Sequence, residues 1–165
     1  MCSFNKILLA GFEGNNNSAK LLLDKLSAGN HIDKLYLKNN FDACASQITN
    51  HMQGNKYDLI IAFGQKPVIK SIYLEKYGIV GEQKYKTEFE YEALKNFLIC
   101  KGYKVKFSDS AGNYLCNHVY GAGLSYIQQQ KIMTKYIFIH IPYIKNLPDV
   151  GILAGVFDEY VQFHT

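Results

Sequence analysis

The chain contains no arginine: all eighteen of its basic residues are lysine. A net charge of +4 would otherwise invite a nucleic-acid partner. The lysines are scattered, however, and without guanidinium forks guanine edges cannot be read bidentately, so nucleic acid is set aside. Long apolar runs are missing too. None reaches the roughly 20 residues that a spanning helix needs, and no membrane partner is expected. Met1 to Lys6 pass straight into the strand pattern Ile7 to Ala10, without the charged, apolar and cleavage regions of a secretory leader.

Cysteine is sparse and irregular. The four, at positions 2, 44, 100 and 116, form neither a CxxC pair nor a regular framework. This argues against a disulfide scaffold, and the histidines lack the clustered spacing of a zinc site. A reducing cytoplasmic location follows as the expectation, with no metal and no cofactor. Cys44 and Cys100 fall in helical patterns and read as core thiols. No repeat or low-complexity linker divides the 165 residues, which predicts one domain over 1–165 with a substantial core.

What is present is alternation. Strand patterns cover 6–10, 32–37, 57–63, 103–107 and 136–141; helical patterns cover 18–27, 41–53, 87–101, 115–130 and 149–163. Asp149 reads as the N-cap of the last helix, with Val150, Leu153, Phe157, Tyr160 and Val161 as its inward stripe. Alternation of this kind predicts an α/β fold, a three-layer α/β/α sandwich on a largely parallel sheet. Residues 70–77 follow neither period and read as a short helix or an irregular stretch.

Two segments read as chemistry. The first is Ser108-Asp-Ser-Ala-Gly-Asn-Tyr-Leu-Cys116-Asn117, a turn between a strand and a helix. Gly112 supplies a permissive backbone, Asn113 is a candidate N-cap, and Cys116 falls in the first helical turn. Free N–H groups and the dipole there favour a thiolate, and the same amides can cradle an oxyanion. The second is Tyr136-Ile-Phe-Ile-His-Ile141, a buried-strand pattern that Pro142 terminates. It sets His140 at a carboxyl edge, where open α/β sheets bind ligands. Each residue alone is usually structural; at the ends of two successive units they fit a nucleophile and its base. His118, two residues past Cys116, points about 200° away on the helix and reads as packing or surface.

Ser110-Ala-Gly-Asn-Tyr-Leu-Cys-Asn117 resembles the nucleophile signature of pyroglutamyl peptidase I, the pyrrolidone-carboxylate peptidases, a family of cysteine exopeptidases. Phe138-Ile-His-Ile-Pro-Tyr143 resembles the strand bearing that family's base. The resemblance implies a mixed sheet, Cys116 as nucleophile and His140 as general base and acid. Gly64-Gln-Lys-Pro-Val-Ile-Lys-Ser-Ile-Tyr-Leu-Glu75-Lys76 is similar to the stretch holding the family's orienting glutamate, which implies that role for Glu75. Tyr73, Gly78 and Val80 depart from its pattern, and a carboxylate beside a helix-borne lysine is most often a solvated surface pair.

Ala10-Gly-Phe-Glu13 resembles the family's Gly-Phe loop, which implies substrate contacts from Phe12, from Gln65 through its backbone, and from Leu115. The second ring-stacking phenylalanine is missing, the Glu75–Cys116 interval is shorter than the family's by very roughly twenty residues, and a loop or hairpin over the site is expected to be gone. With no arginine near the oxyanion, backbone amides would act alone. The implied activity is hydrolysis of an N-terminal pyroglutamyl amide from a peptide, by a homo-oligomeric enzyme. The alternatives are a hydrolase of a related small acyl amide, or a binding module that keeps the old cleft.

Overall fold

The computed structural model describes residues 3–164; Cys2 lies outside them. Among the described residues are eight strands, β1 (Ile7–Phe12), β2 (Ile32–Leu37), β3 (Leu59–Lys66), β4 (Ile72–Glu75), β5 (Tyr77–Val80), β6 (Gln83–Lys86), β7 (Val105–Ser108) and β8 (Lys135–Pro142), and five α-helices, with β3 to β6 consecutive. The helices are α1 (Ser18–Lys25), α2 (Phe41–Gly54), α3 (Tyr91–Cys100), α4 (Leu115–Gln130) and α5 (Val150–Gln162). Six strands form one sheet in the order β2-β1-β3-β8-β4-β7. Every neighbouring pair is parallel except β4 with β8. The predicted sandwich and the mixed sheet are both present.

The strand runs are apolar throughout because both faces are covered. Ile7, Leu9, Leu59, Ile61, Phe63, Ile137, Ile139 and Ile141 point to the layer of α1, α3 and α5. Leu8, Ala10, Phe12, Ile60, Ala62, Tyr136 and Phe138 point to α2 and α4. Asp149 caps α5, its Oδ1 accepting from the amides of Gly151 (2.6 Å) and Ile152 (3.2 Å). Among the described residues no helix is long and apolar enough to cross a membrane.

The structure corrects the reading of residues 70–77. Ile72–Glu75 is neither helix nor loop: it is a sheet strand inserted between β8 and β7. The stretch beyond it builds a separate antiparallel hairpin, β5 with β6, turning at Gly81 with φ 59°. A hairpin is therefore present in this interval. Cys44 is buried as expected, but Cys100 is exposed. It stands two residues beyond Leu98, about 200° around α3 from the buried Leu94–Leu98 stripe.

Several tyrosines give the fold an alkaline limit. Burial pushes Tyr36 and Tyr160 up to about 12 and holds Tyr57, Tyr120 and Tyr136 above the ordinary tyrosine value as well. Tyr36 and Tyr57 also donate to the carboxylates of Asp24 and Asp33, each at 2.6 Å. A folded-state value above the unfolded one favours the native state fully below about pH 10, and that contribution is lost as pH rises toward the folded value. The thermal midpoint measured at pH 11 is expected to lie at least about 5 °C below that at pH 8.

Candidate active site

The site forms where β3 and β8 end side by side. Gly64 and His140 are register partners. Tyr136 and Phe138 face α2 and α4, so strand alternation turns His140 to the same face. On its other edge β8 meets β4, with Tyr73 opposite His140 and Glu75 opposite Phe138. The antiparallel register brings the Glu75 carboxylate to the imidazole: His140 Nδ1–H donates to Glu75 Oε1 at 2.7 Å. Both are removed from water, His140 at 3% exposure and Glu75 at 0%. Among the described residues Glu75 Oε2 has no hydrogen-bond partner. The Tyr120 hydroxyl donates to the Glu75 carbonyl at 2.8 Å and fixes the strand end. Glu75 is thus a buried partner of His140, not a surface carboxylate, while the neighbouring Lys76 pairs with Asp109 at 2.7 Å.

Cys116 arrives by a route the sequence pattern did not show. β7, the strand before it, runs against β8 and is separated from it by β4. Cys116 and His140 therefore do not come from adjacent parallel units. Residues 109–114, with Gly112 at φ 90°, lead instead to a helix that starts over the end of β3. Tyr114 occupies the N-cap and makes no side-chain cap bond, so Asn113 is not the cap. Cys116 is the second residue of α4 and half-buried. Its sulfur lies against Gly64, where a Cβ would come within 2.8 Å of Sγ and 2.9 Å of the Phe138 ring. The missing side chain at Gly64 makes the space that the sulfur occupies, one strand from His140.

The expected resting thiolate is not what this environment favours. Burial pushes the Cys116 thiol up to about 12, and the Glu75 charge acts in the same direction. The partial charge of a helix terminus is a local effect; desolvation beside a buried carboxylate outweighs it. At neutral pH Cys116 is therefore held as a thiol, and His140 commits its Nδ1 to Glu75. Nε2 is left with its lone pair free to take a proton.

Phe12 and Leu115, 4% and 5% exposed, pack in one cluster with Ala111, and Cys116 packs against it. The Gln65 side chain turns away to α1, its Oε1 accepting from the Ser18 amide at 3.0 Å. His118 packs edge-on against Phe41, ring centroids 5.2 Å apart, as expected. Asn117 was not singled out. Its amide brackets Ile79, accepting from the N–H at 2.9 Å and donating to the C=O at 3.0 Å. It pins β5 to α4 as a strand partner would. Gly78 allows this approach, since a Cβ there would meet the Gly121 backbone at 2.7 Å. An open groove of about 750 Å³ beside the hairpin is lined by Val80, Ser110, Asn113 and Asn117. Among the described residues no group of three His, Cys, Asp or Glu is placed to hold a metal ion.

Comparison with known proteins places this geometry. A family model described as pyroglutamyl peptidase matches residues 78–154, a span that includes Cys116 and His140 and stops short of Glu75. A pyrrolidone-carboxylate peptidase of Staphylococcus aureus strain JH9 is 27% identical over 173 residues, covering 84% of this chain and 79% of the relative. One from strain bovine RF122 is 25% identical over 178 residues, covering 87% and 81%. Over most of its length the chain is thus similar in sequence to pyrrolidone-carboxylate peptidases. The family's fold is matched nearly end to end. Pyrrolidone carboxyl peptidase from Thermococcus litoralis superposes with TM-score 0.83 at 18% identity, covering 97% of this chain and 93% of that one. The pyroglutamyl peptidase I of Bacillus amyloliquefaciens gives 0.80 at 20%, covering 98% and 93%.

Proposed function

We propose that this chain is a cysteine exopeptidase that removes N-terminal pyroglutamate from peptides through a thioester acyl-enzyme. The observation that carries the reading is the buried His140–Glu75 hydrogen bond at 2.7 Å on the strand beside the Cys116 sulfur. His140 Nε2 takes the thiol proton as Sγ attacks the scissile carbonyl carbon. The tetrahedral oxyanion is met by the free amides of the first turn of α4. Collapse expels the amine, which receives the proton from His140, and leaves an acyl thioester. His140 then takes a proton from water as it attacks; Sγ leaves and recovers a proton, and pyroglutamate is released. Glu75 holds the tautomer and stabilises the transient imidazolium. Gln65, beside Gly64, and the apolar wall of Phe12 and Leu115 would receive the ring. A reducing cytoplasmic setting keeps Cys116 reduced and usable.

A second reading keeps the chemistry and changes the acyl group. It is favoured by one observation: Phe12, 4% exposed, presents little ring surface to a substrate. Assaying the purified chain with pyroglutamyl-, alanyl- and prolyl-aminomethylcoumarin decides between them. Fluorescence from the pyroglutamyl amide alone is the expected result. Release only from another amide selects the second reading, and inertness toward all three sinks the first.

A further inference from the structure

Lys66 lies within the Gly64–Lys76 stretch but takes no part in the proposed proton transfers. It lies at the end of β3, two residues beyond Gly64, so strand alternation puts both on one face of the sheet. That is the face on which the Cys116 sulfur rests against Gly64. Its ammonium stands 5.5 Å from the centroid of the Tyr73 ring, and Tyr73 is the register partner of His140. The side chain is half-buried, and among the described residues no carboxylate lies within ion-pair distance of it. Lys6, Lys20, Lys76 and Lys101 rest on rings and also pair with carboxylates, whereas Lys66, like Lys84 and Lys95, rests on a ring with no acidic partner within ion-pair distance among the described residues; of these three Lys66 is the one at the end of β3 beside Gly64. A cation held on a ring at the rim of a site containing a buried anion, and left without a counter-ion, is available to a charge that forms during reaction.

We propose that Lys66 is the positioning cation of this site, stabilising the negative charge that develops at Cys116 when its proton passes to His140. The charge of Lys66 lowers the cost of ionising the Cys116 thiol, opposite in sign to the effect of Glu75. The two charges act in opposite senses, Glu75 favouring the imidazolium and Lys66 the thiolate. This division explains how a site with a buried carboxylate can form an anion at sulfur without an arginine. The inference rests on the proposed use of Cys116 as nucleophile, but not on the identity of the acyl group.

Its test needs no substrate. The rate of Cys116 alkylation by iodoacetamide is followed by mass spectrometry from pH 7 to 9.5, with exposed Cys100 as the internal reference. Below the thiol's titration the rate follows the thiolate fraction and climbs tenfold per pH unit. Lys66→Met is expected to displace this line downward by about three- to tenfold, parallel to wild type, leaving Cys100 unchanged. Lys66→Arg is expected to keep the wild-type rate, because it keeps the charge. If Lys66→Met does not fold, Lys66→Gln gives the same reading. Wild-type alkylation rates in the neutral variants, or a loss in Lys66→Arg equal to that in Lys66→Met, would overturn the proposal. Because alkylation is read apart from turnover, a chain that fails to cleave pyroglutamyl amides can still support or refute the role of Lys66.

Discussion

Cys116→Ala is expected to abolish turnover of a pyroglutamyl amide, by at least about 10⁴-fold in kcat, while the protein stays folded. As the proposed nucleophile the Cys116 sulfur forms the acyl bond, and neither other thiol among the described residues is placed to replace it: Cys44 is buried and Cys100 lies on the exposed end of α3. The fold should hardly register the change. Cys116 is half-buried, its sulfur rests on a glycine, and the site loses one atom at its rim, so a change of no more than about 1 kcal/mol is expected. Thermal melts of both proteins beside a coumarin-release assay check the two halves together. Residual activity above a hundredth of wild type would assign the nucleophile elsewhere.

Glu75→Gln is the second large effect and separates orientation from mere presence of the imidazole. The glutamine amide can donate to Nδ1, which moves the ring proton to Nε2, the nitrogen that must accept from sulfur. A tautomer error of this kind costs about 10³–10⁴ in kcat. Shape is conserved and a buried charge is removed, so the melting temperature should not fall appreciably. A variant within tenfold of wild type would mean that Glu75 holds β4 in place and does nothing for His140. Asn117→Ala is not expected to imitate it, since that amide serves the hairpin and not the ring.

These expectations depend on contacts of different visibility in the sequence. The turn before Cys116 and the strand bearing His140 were readable because glycine, proline and unbroken apolar runs are local signals. β4, β5 and β6 were not, since these four-residue strands follow one another across short turns with no helical pattern between them to set them off. The burial of Glu75 was hidden for a related reason. It follows from an antiparallel insertion between β8 and β7, and nothing near residue 75 announces its neighbours. The resemblance pointed to Glu75 by offset, yet local pattern alone assigned it to the surface. Direction failed in the same way at β7, which runs against β8, so the nucleophile came to its place by a longer path than two adjacent units would provide. The thiol was misjudged because a helix terminus is visible locally, whereas desolvation and the Glu75 charge exist only after the chain has closed. Lys66 and Asn117 likewise take their meaning from partners in other elements.

The antiparallel placement of β4 has a consequence for when the molecule becomes reactive. His140 and Glu75 are 65 residues apart in the chain, and the pairing that joins them is among the non-local contacts that form late and slowly. A nascent or partly unfolded copy carries the thiol and the imidazole but has nothing to hold the ring in its working tautomer. The His140–Glu75 hydrogen bond therefore exists only once β4 has docked antiparallel to β8.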